Sequence, residues 1–211
     1  MDAMPLFDCS GRSYPTMRAE NDTDAIAVAL RVGAAIESVG GSYFVGGSIA
    51  SSLQGEPRST NDIDIVAEMP LGRLRAFRDA LGTDFEVDLD PLRDALMHGR
   101  CSNIFFLPAI TKIDLFGVGP SAFDETEFAR RRAMVVRASG AALFVKSAED
   151  TVLRKLLWHR EGGGVSDRQW RDVTTVLRIN AATLDRTYLA QWGQRLGLTD
   201  ELGRAQRDAG W

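Results

Sequence analysis

Hydrophobic and polar positions follow two spacings in this chain, and the point where one gives way to the other divides it. Residues 1–20 hold two prolines, two glycines and little periodicity, which predicts an irregular arm. Residues 23–38, TDAIAVALRVGAAIES, carry an apolar stripe at helical spacing, with Asp22 or Thr23 as cap and Gly40-Gly41 as stop. Short apolar runs at 42–45 and 62–67 predict strands, with a short helix over 48–53 between them that stops before Gly55 and Pro57. Pro70 opens a helix through Leu81 with Leu71, Leu74, Phe77 and Leu81 on one side. A strand over 84–89 and a helix from Pro91 to about His98 follow. The runs 102–107 and 111–118, joined by Pro108-Ala109-Ile110, predict a β-hairpin. A helix over 121–131 and strands over 133–137 and 142–145 complete this part.

After Lys146 only helical spacing remains. Ser147 caps a helix with Glu149 and Asp150 in its first turn, running to about Arg160. Gly162-Gly163-Gly164 breaks it, and two or three further helices reach the end. The pattern predicts an α+β protein: a mixed-sheet domain over 21–146 and a helical region over 147–211.

Composition narrows the class. The 211 residues are 45% hydrophobic and 26% charged, enough to bury a sizeable core. A formal net charge of −4 weighs against a dominant nucleic-acid footprint. Cys9 and Cys101 are too far apart in sequence for a metal cluster or a disulfide framework. Residues 1–20 show no secretory pattern, and no run approaches the ~20 apolar residues that span a bilayer, so a cytoplasmic location without a membrane partner is expected.

The chemistry concentrates in VGGSIASSLQGEPRSTNDIDIV, Val45 to Val66. A Gly-Gly-Ser turn leads from an apolar strand into a short helix, and amides at such a helix start suit an anion such as phosphate. Asp62 and Asp64 follow on a strand. Carboxylates at i and i+2 share a face about 6–7 Å apart, a spacing suited to a divalent cation. Metal beside phosphate is the minimum for phosphoryl or nucleotidyl transfer. Asp114, inside the apolar run TKIDLFGV, is the candidate third acid, because an acid in such a run faces solvent or does chemistry. If its strand lies beside the Asp62–Asp64 strand, three carboxylates converge on a Mg²⁺ or Mn²⁺ site. The other Asp-x-Asp, Asp88 and Asp90, lacks a glycine turn and reads as helix-capping acids. His98 reads as a helix-end residue and His159 as a helix-surface residue. Trp158, Trp170 and Trp192 read as core between helices.

The segment GGSIASSLQGEPRSTNDIDI resembles the signature of the nucleotidyltransferase superfamily with the polymerase-beta-like fold. With the Lys-Ile-Asp strand and EDTVLRKLLWHREGGGVSDRQWRDV, it is similar to bacterial abortive-infection and minimal nucleotidyltransferases, several of which act as toxins. The resemblance covers roughly residues 42–175. It implies that Gly46, Gly47 and Ser48 hold nucleotide phosphates and that Asp62, Asp64 and Asp114 bind metal. It also implies that Lys155 neutralises phosphate charge and that Asp172 positions Lys155 or the acceptor. No basic residue directly follows Ser48, so triphosphate binding is expected to rely on Arg58 or Lys155. The implied reaction moves an NMP from an NTP to a hydroxyl on RNA, a protein or a small molecule, with an antitoxin protein as a possible partner in the toxin case. The rival readings are a nucleotide-binding or regulatory module that has lost turnover, a small-molecule (antibiotic) nucleotidyltransferase, and an antitoxin-like structural partner.

Overall fold

The computed structural model describes residues 23–211; the predicted arm over 1–20, with Cys9 and Asp22, lies outside the described residues. One mixed sheet organises the first two thirds. Its strands are β1 (Ser42–Val45), β2 (Ile63–Glu68), β3 (Phe85–Val87), β4 (Cys101–Phe106), β5 (Thr111–Gly117), β6 (Arg132–Val135) and β7 (Ala142–Val145). They stand in the order β3-β4-β5-β2-β1-β7-β6. The pairs β2–β5 and β1–β7 are parallel, and the remaining neighbours are antiparallel.

Period-two alternation gives the central strands two different faces. Ile63, Ile65 and Ala67 of β2, Ile113 and Leu115 of β5, and Ile104 and Phe106 of β4 are buried. They join side chains of α1 (Ala25–Ser38), α2 (Gly47–Gln54), α3 (Leu74–Leu81) and α4 (Leu89–His98) in one hydrophobic core. Asp64, Asp114 and Asn103 occupy the alternate positions, away from that core. A one-residue register slip would put the acids into the core, so the apolar alternation fixes where the acids stand.

Beyond the sheet lie α5 (Ala122–Ala129), α6 (Ala148–Glu161), α7 (Asp167–Ile179), α8 (Arg186–Arg195) and α9 (Thr199–Asp208). The last four build a second core around Leu153, Leu156, Val176, Leu189 and Leu202, which Phe123 of α5 joins. Gly163 and Gly164, at φ 78° and 74°, make the turn after α6. The chain then folds back, and Lys155 of α6 meets Asp172 of α7. Among the described residues no helix is long and apolar enough to cross a membrane.

Some local expectations are corrected. Asp24 caps α1, accepting from the Ala27 amide at 2.8 Å, so the helix starts one residue after Thr23 would have it. His159 is buried against Trp170 rather than on a helix surface, with ring centroids 5.2 Å apart. Trp158 is exposed rather than core, because it faces a cleft between α6 and the sheet. Asp88 caps α4, as its lack of a glycine turn predicts, accepting from the Asp90 amide at 3.1 Å.

Candidate active site

The glycine turn is locked to the first acid-bearing strand. The Gly46 amide donates to the Asp64 carbonyl at 2.8 Å. Gly47, the first residue of α2, sits at φ 51°, a region costly for a residue with a β-carbon. A Cβ there would overlap Asp64 Oδ2, so glycine is needed both for the backbone and for the approach of the carboxylate. Gly46 has no side chain to cap α2, which leaves the first amides of the helix without a side-chain acceptor at the cap.

Parallel pairing of β2 and β5 places Asp64 opposite Asp114, and antiparallel pairing of β4 and β5 places Asn103 on the far side of Asp114. Burial raises the Asp64 pKa, and the negative charge of Asp114 raises it further; the Lys146 ammonium opposes both. Lys112, two residues before Asp114 on β5, reaches Asp114 Oδ2 at 2.9 Å, and this hydrogen bond and the charge behind it raise the lysine's own pKa. Asp114 Oδ1 is buried and has no hydrogen-bond partner among the described residues. Asp62 is exposed just before β2, its amide accepted by Thr60 Oγ1 at 3.2 Å, and its charge is felt at Asp64. Asp64 and Asp114 are therefore brought together. Among the described residues, no group of three or more His, Cys, Asp or Glu side chains is arranged to hold a metal.

The helical half contributes a second cluster at the same turn. Asp172 receives Lys155 Nζ at 2.8 Å, Arg58 Nε at 3.2 Å and Nη2 at 3.1 Å, and Ser51 Oγ at 3.2 Å. Arg58 Nη2 also donates to Ser48 Oγ at 2.5 Å. Burial acts to raise the Asp172 pKa, but the bonds from Arg58 and Lys155 and their charges outweigh it, and the net shift is downward. Lys155 is 4% exposed. Burial dominates its downward shift, aided by the charges of Lys146 and Arg58, while Asp172 opposes it. Ser48, Arg58, Lys155 and Asp172, distant in sequence, are one hydrogen-bonded group beside α2. Arg168, the helix neighbour at i−4, is not the partner of Asp172.

Sequence reasoning missed Lys146. It directly follows β7 and is 3% exposed, with Nζ 3.0 Å from Glu127 Oε1. The signal was available: a charge at the end of the apolar run ALFV, before a helix cap. Glu127 carried a similar signal, since it stands four residues after the buried Phe123 on α5. Arg154 of α6 completes this group, donating to Glu127 Oε2 at 2.8 Å and Asp124 Oδ1 at 2.6 Å.

Two clefts flank the acids. One, of about 890 Å³, is lined by Arg58, Thr60, Asn61, Asp62 and Lys112 with Ile49 and Leu53 at its apolar side. The other, of about 260 Å³, is bounded by Gly46, Gly47, Asp64, Lys146, Arg154 and Trp158.

Neither a protein-family model nor a curated protein matches the sequence. Solved structures do match. An antigenic nucleotidyltransferase-like protein from Paracoccidioides brasiliensis is 17% identical, with a TM-score of 0.51 over 87% of this chain and 92% of that one. The antibiotic-resistance factor ANT(2'')-Ia in solution is 15% identical, with a TM-score of 0.49 over 86% of this chain and 99% of its own. A crystal structure of ANT(2'')-Ia in complex with adenylyl-2''-tobramycin is 16% identical, with a TM-score of 0.43 over 87% and 98%. The chain shares the fold of the nucleotidyltransferase-like protein from Paracoccidioides brasiliensis.

Proposed function

We propose that this protein is a divalent-metal-dependent nucleotidyltransferase. It moves an NMP from an NTP to a hydroxyl acceptor. The observation that carries this reading is the in-register pair Asp64–Asp114 set against the Gly46-Gly47 turn. The donor set fits a small hard cation. Asp114 Oδ1 is a buried oxygen without a partner among the described residues, and Asp64 is pushed toward protonation by burial and by the neighbouring negative charge. Both features match carboxylates that share a cation. Asp64 and Asp114 would hold Mg²⁺ or Mn²⁺, and Asp62 would join them from the start of β2. A bound cation would neutralise phosphate charge and lower the pKa of the acceptor hydroxyl.

The chain's own groups account for the rest. The amides at the start of α2 and Ser48 hold the β- and γ-phosphates, and Arg58 stands beside them. Asp114 takes the proton of the acceptor hydroxyl. The hydroxyl oxygen bonds to the α-phosphorus as the bond from that phosphorus to the bridging oxygen breaks, and pyrophosphate leaves with the electron pair. Asp172 holds Arg58 and Lys155 in place and so positions the phosphate-facing side of α2. Residues 21–146 would form the catalytic unit and 147–211 the helical region that closes over it.

The acceptor most consistent with a net charge of −4 is a cationic small molecule rather than RNA. A toxin role would use the same transfer on RNA or a protein. Titration of Mn²⁺, alone and with a non-hydrolysable ATP analogue, tests the site. Asp64→Asn and Asp114→Asn should each abolish tight Mn²⁺ binding while the fold persists by circular dichroism. Wild-type Mn²⁺ affinity in both variants refutes the assignment.

A further inference from the structure

The basic residue absent after Ser48 has a replacement from another element. Lys146 leaves the end of β7, next to β1 in the sheet, and its ammonium reaches the glycine turn. A Cβ built on Gly46 would lie 3.7 Å from Lys146 Nζ, so the ammonium packs against the turn itself. The ammonium lies 5.7 Å from the Phe44 ring centroid and 5.4 Å from that of Trp158. These two faces hold a cation without neutralising it. An ammonium has three donors, and the only hydrogen bond that Lys146 Nζ makes among the described residues is to Glu127. The charge of Lys146 is felt at Asp64 and at Lys155.

The charged groups bordering the roughly 260 Å³ cleft are Asp64, Asp124 and Glu127 against Lys146 and Arg154, so an anion is favoured there only once Asp64 is neutralised. Asp124 and Glu127 are matched by Arg154 and Lys146. Asp64 is the acid left over, and it is the one that the proposed cation would take up. Glu127 keeps Arg154 on Oε2 whether or not Lys146 stays on Oε1, so Lys146 can change partner without stranding a buried carboxylate. Lys155 does not border this cleft, and its ammonium is bound to Asp172.

We infer that Lys146 is the phosphate-binding cation of this site, held in waiting by Glu127 and transferred to the triphosphate of the incoming nucleotide. The inference rests on the proposed nucleotidyl transfer and replaces Lys155 as the residue that meets phosphate. No covalent step is involved; an ion pair is exchanged.

Inorganic tripolyphosphate with Mg²⁺, titrated calorimetrically into the full chain, tests it. Lys146→Met should weaken binding about tenfold or more, the size expected for losing a charge-assisted hydrogen bond. Lys146→Arg should restore part of that loss, and Lys155→Met should weaken binding less than Lys146→Met. Glu127→Gln should tighten binding, because it frees the ammonium; this arm remains decisive if Lys146→Met does not fold. Unchanged affinity in folded Lys146→Met, weaker binding in Glu127→Gln, or no tripolyphosphate binding by the wild type would each overturn the inference. The two readings fail separately. Nucleotide transfer with wild-type tripolyphosphate affinity in Lys146→Met removes only the role of Lys146. Lys146-dependent tripolyphosphate binding without transfer to any acceptor removes only the enzymatic reading.

Discussion

Replacing Gly47 with alanine perturbs fold and site through a single methyl group. At φ 51°, a β-carbon costs about 1–2 kcal/mol. The same carbon would overlap Asp64 Oδ2, so the carboxylate must leave its rotamer well for about a further 0.5–1.5 kcal/mol. Together these give roughly 1.5–3.5 kcal/mol, which for a chain of this size lowers the melting temperature by roughly 3–14 °C. The functional loss should be larger in proportion, since a shift of about 1 Å in a reacting group costs about a hundredfold in rate. Gly46→Ala is the control. Its added carbon would meet only ordinary contacts, the Phe44 ring at 3.6 Å and Lys146 at 3.7 Å, at φ −112°. Thermal melts followed by circular dichroism, with Mn²⁺ titration of both variants, make the comparison. Gly47→Ala should melt lower and lose tight metal binding, whereas Gly46→Ala should melt near the wild type. A Gly47→Ala protein with wild-type melting and Mn²⁺ affinity would refute the claim that this turn exists to seat Asp64.

Three further outcomes are expected. Asp172→Ala strands the buried ammonium of Lys155 and should cost about 3–5 kcal/mol in urea unfolding, while Lys155→Met/Asp172→Leu together should cost much less; equal losses would contradict the buried pair. Because the Asp172 pKa is lowered by folding, its contribution is complete above the ordinary carboxylate value of 3.8 and is lost as pH falls through the lower folded value. The stability gap between wild type and Asp172→Asn should therefore narrow with acidification below about pH 4, and a gap that widens there would contradict the sign. Lys112→Met removes a cation from Asp114 Oδ2 and should tighten nucleotide-free Mn²⁺ binding about two- to five-fold, the range of a partly exposed ion pair; weaker binding would mean that Lys112 supports the site rather than competing for it.

The acid strand and the glycine turn were legible because their constraints are local. Alternation of Ile63, Asp64 and Ile65 fixes which face the acid takes, and the Gly-Gly pair announces an unusual backbone before a helix. The pairing of Asp64 with Asp114 was expected only on the condition that their strands were neighbours, and the sheet order supplies that condition. The links across the two halves were less visible. Arg58 and Ser51 on Asp172 are separated from it by more than a hundred residues, and the helical repeat equally supports a solvated Asp172 paired with Arg168. Lys146 served only to mark the end of the strand-rich half, although a charge ending an apolar strand is a burial signal. Asp150, fully buried with Tyr188 Oη donating to it at 2.5 Å, was read as a first-turn acid complementing the helix dipole. Ser147 and Arg130 hold its other oxygen, but Tyr188 comes from α8, and no periodicity within α6 announces that. The exposure of Trp158 has the same origin: only the packing of α6 against the sheet opens a cleft there.

The central claim is that the glycine turn and the Asp64–Asp114 pair transfer a nucleotide. Its most direct test is incubation of the full chain with Mg²⁺, each of four α-labelled NTPs, and three acceptor pools: total RNA, cell protein and cationic small molecules. Label transfer and pyrophosphate release are measured together. The account predicts equimolar pyrophosphate and label on one acceptor class, both lost in Asp64→Asn and Asp114→Asn proteins that remain folded. Transfer that persists in those variants, or NTP binding by the wild type with no pyrophosphate from any pool, would contradict it.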